Sequence, residues 1–211
     1  GKGYSYTIGT GGHSIITLLE RSLAPMLIGR DPDCIEQIWR DLLFSTHATS
    51  VGAITSLAIA AIDIALWDLR CKKMDLPLWK LAGGFKDRIP LYTTEGGWLH
   101  LETSALVDDA QAMQEKGFKG SKIKIGKEHI SQDDARLGAV RAAVGDGYEI
   151  MTDGNQGFTL SEAIRRTRML ESHGVSWFEE PMPADDLTAH VELSRHSSVP
   201  IAVGESLYSL S

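Results

Sequence analysis

Through the first 85 or so residues, apolar positions return every three or four places, the spacing of one helix face. Ile15, Leu18, Leu19 and Leu23 predict a helix over 14–27, ended by the turn signal Gly29-Arg30-Asp31-Pro32. Ile35, Ile38, Trp39 and Leu42 predict a second over 33–44. Residues 50–70 are apolar almost all round (Ile54, Leu57, Ala58, Ala61, Ile62, Ala65, Leu66), so this third helix is expected to be buried between layers. A short turn at 78–81 and the pair Gly83-Gly84 close the region.

After Gly84 the period changes. Short apolar runs at 89–94, 121–125, 149–153, 176–179 and 200–205 read as strands, with helices between them at 103–116, 133–144, 160–172 and 186–196. Successive strand and helix units imply parallel strands joined by crossover helices. Lys122, Asp153, Glu179 and Glu205 hold comparable places in strands two to five, and lie 31, 26 and 26 residues apart. A repeat of that size fits an α/β fold of the (β/α)8 TIM-barrel type, preceded by a mainly helical α+β domain. The reading assigns 1–85 to part of that N-terminal domain and 86–211 to the first part of the barrel. Since only about five strands are present, further barrel units are expected after Ser211 and a strand or two before Gly1. An open doubly wound sheet is the alternative, but no Gly-rich phosphate loop follows the first strand.

Composition narrows the class without naming a function. With 43% hydrophobic and 23% charged residues among 211, the chain is an ordinary globular protein, neither disordered nor disulfide-rich. A net charge of −7 argues against a broad basic face for nucleic acid or anionic lipid. No apolar stretch approaches the roughly 20 residues of a membrane span, and residues 1–5 lack a signal-peptide core, so a cytoplasmic protein is expected. Cys34 and Cys71 have no metal-ligand spacing and are expected to be reduced core thiols.

The candidate chemistry sits at the strand ends. In a parallel barrel these open onto one face, so Lys122 and Lys124, Asp153, Glu179-Glu180 and Glu205 converge although far apart in sequence. One strand-end acid is more often a helix cap or a salt-bridge partner; four coincidences in a row are harder to dismiss. Three carboxylates with no His or Cys favour Mg²⁺ over zinc. Asn155 could add a contact to the same site. Alternation separates Glu179 from Glu180 and puts Trp177 on the face of Glu179. Lys122 and Lys124 point to the same side, with Ile123 and Ile125 toward the helices. Two crowded, partly desolvated ammonium groups are expected to show a lowered lysine pKa, which supplies a base. Beside a carboxylate-held cation, such a base suggests abstraction of a proton next to a carboxylate through an ene-diolate.

The chain resembles the enolase superfamily, specifically its mandelate racemase subgroup. The matching segments are Ser-Lys-Ile-Lys-Ile (121–125), Thr-Asp-Gly-Asn-Gln (152–156), Trp-Phe-Glu-Glu-Pro (177–181) and Val-Gly-Glu-Ser (203–206), with the helical stretch 60–69 and Leu-Ala-Gly-Gly (81–84). The resemblance implies that Asp153, Glu179 and Glu205 bind Mg²⁺, that Lys124 is the general base, and that Lys122 neutralises the substrate carboxylate. Glu180 and Asn155 would stand beside them. It implies further that residues 1–85 belong to a capping domain, with 9–13 and His13 in a Gly-rich lid piece after a short strand. The family's His-Asp pair would lie on strands six and seven, beyond Ser211. The activity implied by the resemblance is dehydration of an acid sugar, an aldonate or aldarate, to a 2-keto-3-deoxy acid. A racemase or epimerase of a 2-hydroxy acid, a muconate-cycloisomerase-like enzyme and a non-catalytic barrel are the alternatives. The implied partners are a small carboxylate substrate and further copies of the chain, with no nucleic acid and no membrane.

Overall fold

The computed structural model describes residues 1–50 and 52–208. The chain divides into two compact units, residues 1–87 and 88–207.

The first unit is helical. α1 (Gly12–Leu18) continues into a π turn at Leu19–Leu23 and a 3₁₀ turn at Ala24–Leu27, so the predicted helix over 14–27 is one run of three pitches. Pro25 gives the reason: its ring removes an N–H and crowds the carbonyl four residues earlier. α2 (Ile35–Ser45) and α3 (Ala53–Met74) pack through Ile38, Leu42, Ala58, Ile59 and Ile62 against Ile15 and Leu23. The expected burial of the third helix holds for its N-terminal half, while Ile64 is exposed. α4 (Leu78–Leu81) follows. Residues 1–11 contain no strand, so the short strand expected there does not form; 9–11 are irregular, and Gly12 and His13 form the first turn of α1. Both cysteines are free, but Cys34 is exposed and Cys71 half-buried; neither is a core thiol.

The second unit alternates strand and helix: β1 (Tyr92–Thr93), α5 (Thr103–Glu115), β2 (Gly120–Lys124), α6 (Ile130–Val144), β3 (Glu149–Asp153), α7 (Leu160–Ser172), β4 (Phe178–Glu179), α8 (Leu187–His196) and β5 (Ile201–Ala202). All neighbouring strands are parallel and the sheet order is β1-β2-β3-β4-β5. That sequential order belongs to a barrel wall and not to a doubly wound sheet, whose order reverses at a switch point. Ile123, Ile150 and Phe178 enter a core with Leu106, Leu137, Leu170 and Leu193 of the helices. Lys122, Lys124 and Asp153 alternate with the core-facing residues of their own strands, as period-two side-chain placement requires.

Candidate active site

β2 and β3 pair in register from Gly120↔Glu149 to Lys124↔Asp153, so lysine and aspartate end their strands side by side. Asp153 is 1% exposed, and its Oδ2 accepts from Lys124 Nζ at 2.5 Å and lies 3.2 Å from Lys122 Nζ. Lys122 Nζ also donates to Glu179 Oε1 at 2.5 Å. The two lysines therefore do not simply repel each other, because two carboxylates divide them. Burial alone would push the Lys122 ammonium down, but Glu179 and Asp153 outweigh it and hold the group above its ordinary range. The lowered value expected from the sequence is reversed at this lysine. Burial likewise opposes ionisation of Asp153, yet Lys124, the Asn155 N–H and Lys122 hold its carboxyl below the usual range.

The turns after β3 and β4 use unusual backbone. Asn155, Gln156 and Glu180 have φ of 45°, 62° and 39°, left-handed values that non-glycine residues adopt at a cost of about 1–2 kcal/mol each. The first of these aims the Asn155 N–H at Asp153 Oδ1, 2.8 Å away, so this residue supports the site through its main chain. Glu180 is 1% exposed and accepts from Gln156 Nε2 at 3.2 Å through one oxygen; the other has no partner among the described residues. Glu179 accepts from Lys122 and, at 3.3 Å, from Trp177 Nε1, so it shares a face with Trp177 and has partners separate from those of Glu180, although both glutamates line one cavity.

Glu205 is less tightly placed. β5 ends at Ala202 and Glu205 lies three residues on, in an exposed turn, lining a cavity of about 270 Å³ with Tyr92, Trp177, Glu179 and Glu180. Desolvation, then repulsion from Glu180, Asp153 and Glu179, pushes its carboxyl up, with Lys122 partly offsetting. His13 is exposed in α1 of the first unit, while every other candidate belongs to the second.

Sequence reasoning missed three residues. Trp98, five positions past β1, sets its ring centroid 5.9 Å from Lys124 Nζ, and both line a cavity of about 600 Å³ with His100, Lys127 and Phe158. Its place beyond a strand end was the available signal. Arg136 donates to the Lys124 carbonyl at 3.0 Å, and Gln156 joins Glu180 to Ser206. A helix-borne arginine and a loop glutamine leave no periodic trace.

Asp153, Glu179 and Glu205 are hard oxygen donors without a thiolate or imidazole, and the repulsion felt at Glu205 shows that these acids share one electrostatic neighbourhood. That chemistry fits a divalent cation of the Mg²⁺ type. Among the described residues no three His, Cys, Asp or Glu groups surround a common point at ligand distance, and Lys122 and Lys124 pair with Asp153 and Glu179.

Residues 105–211 match the family described as "Enolase C-terminal domain-like", and residues 1–83 match "Mandelate racemase / muconate lactonizing enzyme, N-terminal domain". A 3,6-anhydro-alpha-L-galactonate cycloisomerase of Streptomyces coelicolor is 37% identical over 100% of this chain and 58% of its own length. An L-talarate/galactarate dehydratase of Salmonella typhimurium is 37% identical over 99% of this chain and 52% of its own. A crystal structure of L-talarate dehydratase from Polaromonas sp. JS666, complexed with Mg and L-glucarate, superposes with a TM-score of 0.90 at 38% identity, covering 97% of this chain and 57% of that one. The chain thus spans 52–58% of the length of these proteins.

Proposed function

Because the chain belongs to the mandelate racemase / muconate lactonizing enzyme family, we propose that it carries the proton-abstracting half of a Mg²⁺-dependent enzyme that dehydrates an acid sugar to a 2-keto-3-deoxy acid. The observation that supports this reading most directly is the pair Lys122 and Lys124 interleaved with Asp153 and Glu179 on three adjacent strand ends. Lys124 is the general base: it borders the 600 Å³ cavity, where its Nζ can meet the hydrogen on the carbon next to the substrate carboxylate. Lys122, deeper on the same strand and held cationic by its partners, offers fixed positive charge to the carboxylate as electrons move onto it. Asp153, Glu179 and Glu205 would hold Mg²⁺, which when bound supplies Lewis-acid stabilisation of that developing charge. Trp98 and Phe158 line the cavity beside the base. We place the enzyme in the cytoplasm; among the described residues no helix is long and apolar enough to cross a membrane.

The test is a screen of mono- and diacid sugars, galactarate, L-talarate and arabinonate among them, for 2-keto acid formation by the full-length protein with Mg²⁺. Lys124→Ala and EDTA are each expected to abolish product. General-base removal corresponds to a loss of about 10²–10⁴-fold in rate. Product that survives Lys124→Ala would remove the base assignment. A second reading comes from the cycloisomerase relative, as identical to this chain as the dehydratase. It is favoured if an anhydro-sugar acid is converted to a keto acid of unchanged mass, the ring ether oxygen leaving in place of water, while the open-chain sugar acids are not turned over.

A further inference from the structure

Four charged side chains of the second unit are buried or nearly so and take no part in that chemistry. Asp133 and Arg136 of α6 and Arg166 of α7 are 0%, 4% and 2% exposed, and Glu162 of α7 joins them at the rim. Arg136 Nη1 lies 3.2 Å from Asp133 Oδ1, Arg166 Nη1 meets Asp133 Oδ2, and Arg166 Nε reaches Glu162 Oε1 at 2.8 Å. Two positive and two negative groups cancel. Such a set is a poor device for stability alone, because apolar residues of equal volume do as well or better.

Its remaining hydrogen bonds show what it does. Asp133 Oδ2 accepts from the main-chain N–H groups of Gly126 and Lys127 at 2.8 and 3.1 Å. Arg166 Nη2 donates to the Lys127 carbonyl at 2.9 Å. Arg136 Nη1 donates to the Lys124 carbonyl at 3.0 Å and its Nη2 to the Trp98 carbonyl at 3.1 Å; among the described residues its buried Nε has no partner. The quartet therefore grips the main chain of the two loops that leave β1 and β2, on both sides of the cavity that Lys124 borders.

We propose that Arg136, oriented by Asp133, is the positioning residue for Lys124. One planar guanidinium ties the carbonyls of Trp98 and Lys124 to a single rigid fork, which fixes the base against the cavity wall. An ammonium group is a point donor and cannot reproduce that fork. The kinetic part of this proposal rests on Lys124 being the base; the structural part does not.

The test compares Arg136→Lys, which keeps the charge and loses the fork, with Val140→Ala, which loosens the core on the same helix and removes no hydrogen bond to either loop. Both are made in the full-length protein. By amide hydrogen exchange, Arg136→Lys is expected to speed exchange at 97–101 and 124–129 by about tenfold, the loss of roughly one net hydrogen bond, and to leave α8 unchanged. For the sugar acid turned over in the screen, kcat per folded enzyme is expected to fall at least about tenfold with KM within about threefold, as displacement of a reacting group requires. Val140→Ala is expected to keep kcat. Parental exchange in both loops would overturn the clamp, and this arm needs no substrate. An equal loss of kcat in Val140→Ala would overturn positioning. If Lys124→Ala keeps its turnover, the base assignment and the kinetic part fall, while loop exchange still decides whether the clamp exists.

Discussion

Gly97 allows the geometry to be tested by a single methyl group. It is buried in the 3₁₀ turn at Glu95–Gly97, against β2, and needs no left-handed angle, so space alone decides what it tolerates. A Cβ built there would lie 1.9 Å from the Lys122 carbonyl oxygen, 2.9 Å from its carbon and 3.0 Å from Ile123 Cα. All three are main-chain atoms, and no side-chain rotation relieves the overlap. Restoring about 3.0 Å requires the turn and the strand to part by at least about 1.1 Å. The strand is held by its register with β3 and by Ile123 in the core, so most of the movement falls on the turn and on Trp98 next to it. Gly97→Ala is therefore expected to cost about 1–3 kcal/mol of stability by overpacking. Turnover is expected to fall on the order of 10²-fold, the effect of a misplacement of about 1 Å near reacting groups. Urea unfolding gives the first quantity and keto-acid formation by the folded variant gives the second. An unchanged unfolding midpoint with kcat within threefold of the parent would refute the close approach.

Asp133→Asn removes the charge that both buried guanidinium groups face. Breaking a buried pair costs about 3–5 kcal/mol, and the lower end is expected because Glu162 still holds Arg166; a loss below about 1 kcal/mol in urea unfolding would contradict this account. Asp63 of α3 has its carboxyl held above the ordinary range by burial first and by Glu36 second. The native state thus binds this proton more tightly than the unfolded chain does, and its contribution to stability falls as pH rises through the native value. Asp63→Asn is expected to be more stable than the parent at pH 7 by a few tenths of a kcal/mol after solvent screening, with the gap closing as pH falls toward 4; a constant gap, or one of opposite sign, would reject the cause.

The parts of the fold written in repeating patterns were legible. β3 and α7 match their predicted spans residue for residue: β3 is a short, almost wholly buried run and the helical spacing of α7 is strong. β1, β4 and β5 are two residues each, shorter than the apolar runs that announced them, since strand pairing stops where the neighbouring ladder does. The shared face of Lys122 and Lys124 followed from period-two geometry alone. Ion pairing did not follow: which carboxylate meets which lysine depends on register between strands, and that register reversed the expectation for Lys122. The role of Arg136 was invisible for a related reason. Its partners are main-chain carbonyls, which leave no mark on residue type, whereas Trp98 could have been found from its place beyond a strand end.

The grip of Asp133, Arg136 and Arg166 falls entirely on backbone atoms, at Trp98, Lys124, Gly126 and Lys127. Peptide groups are the same whatever side chain they carry. Substitutions at 98, 127 and 128, which line the cavity, are therefore expected to leave the course of the loops unchanged. A combinatorial library confined to those three positions is, on the same grounds, the economical way to vary what the cavity accepts without rebuilding its scaffold.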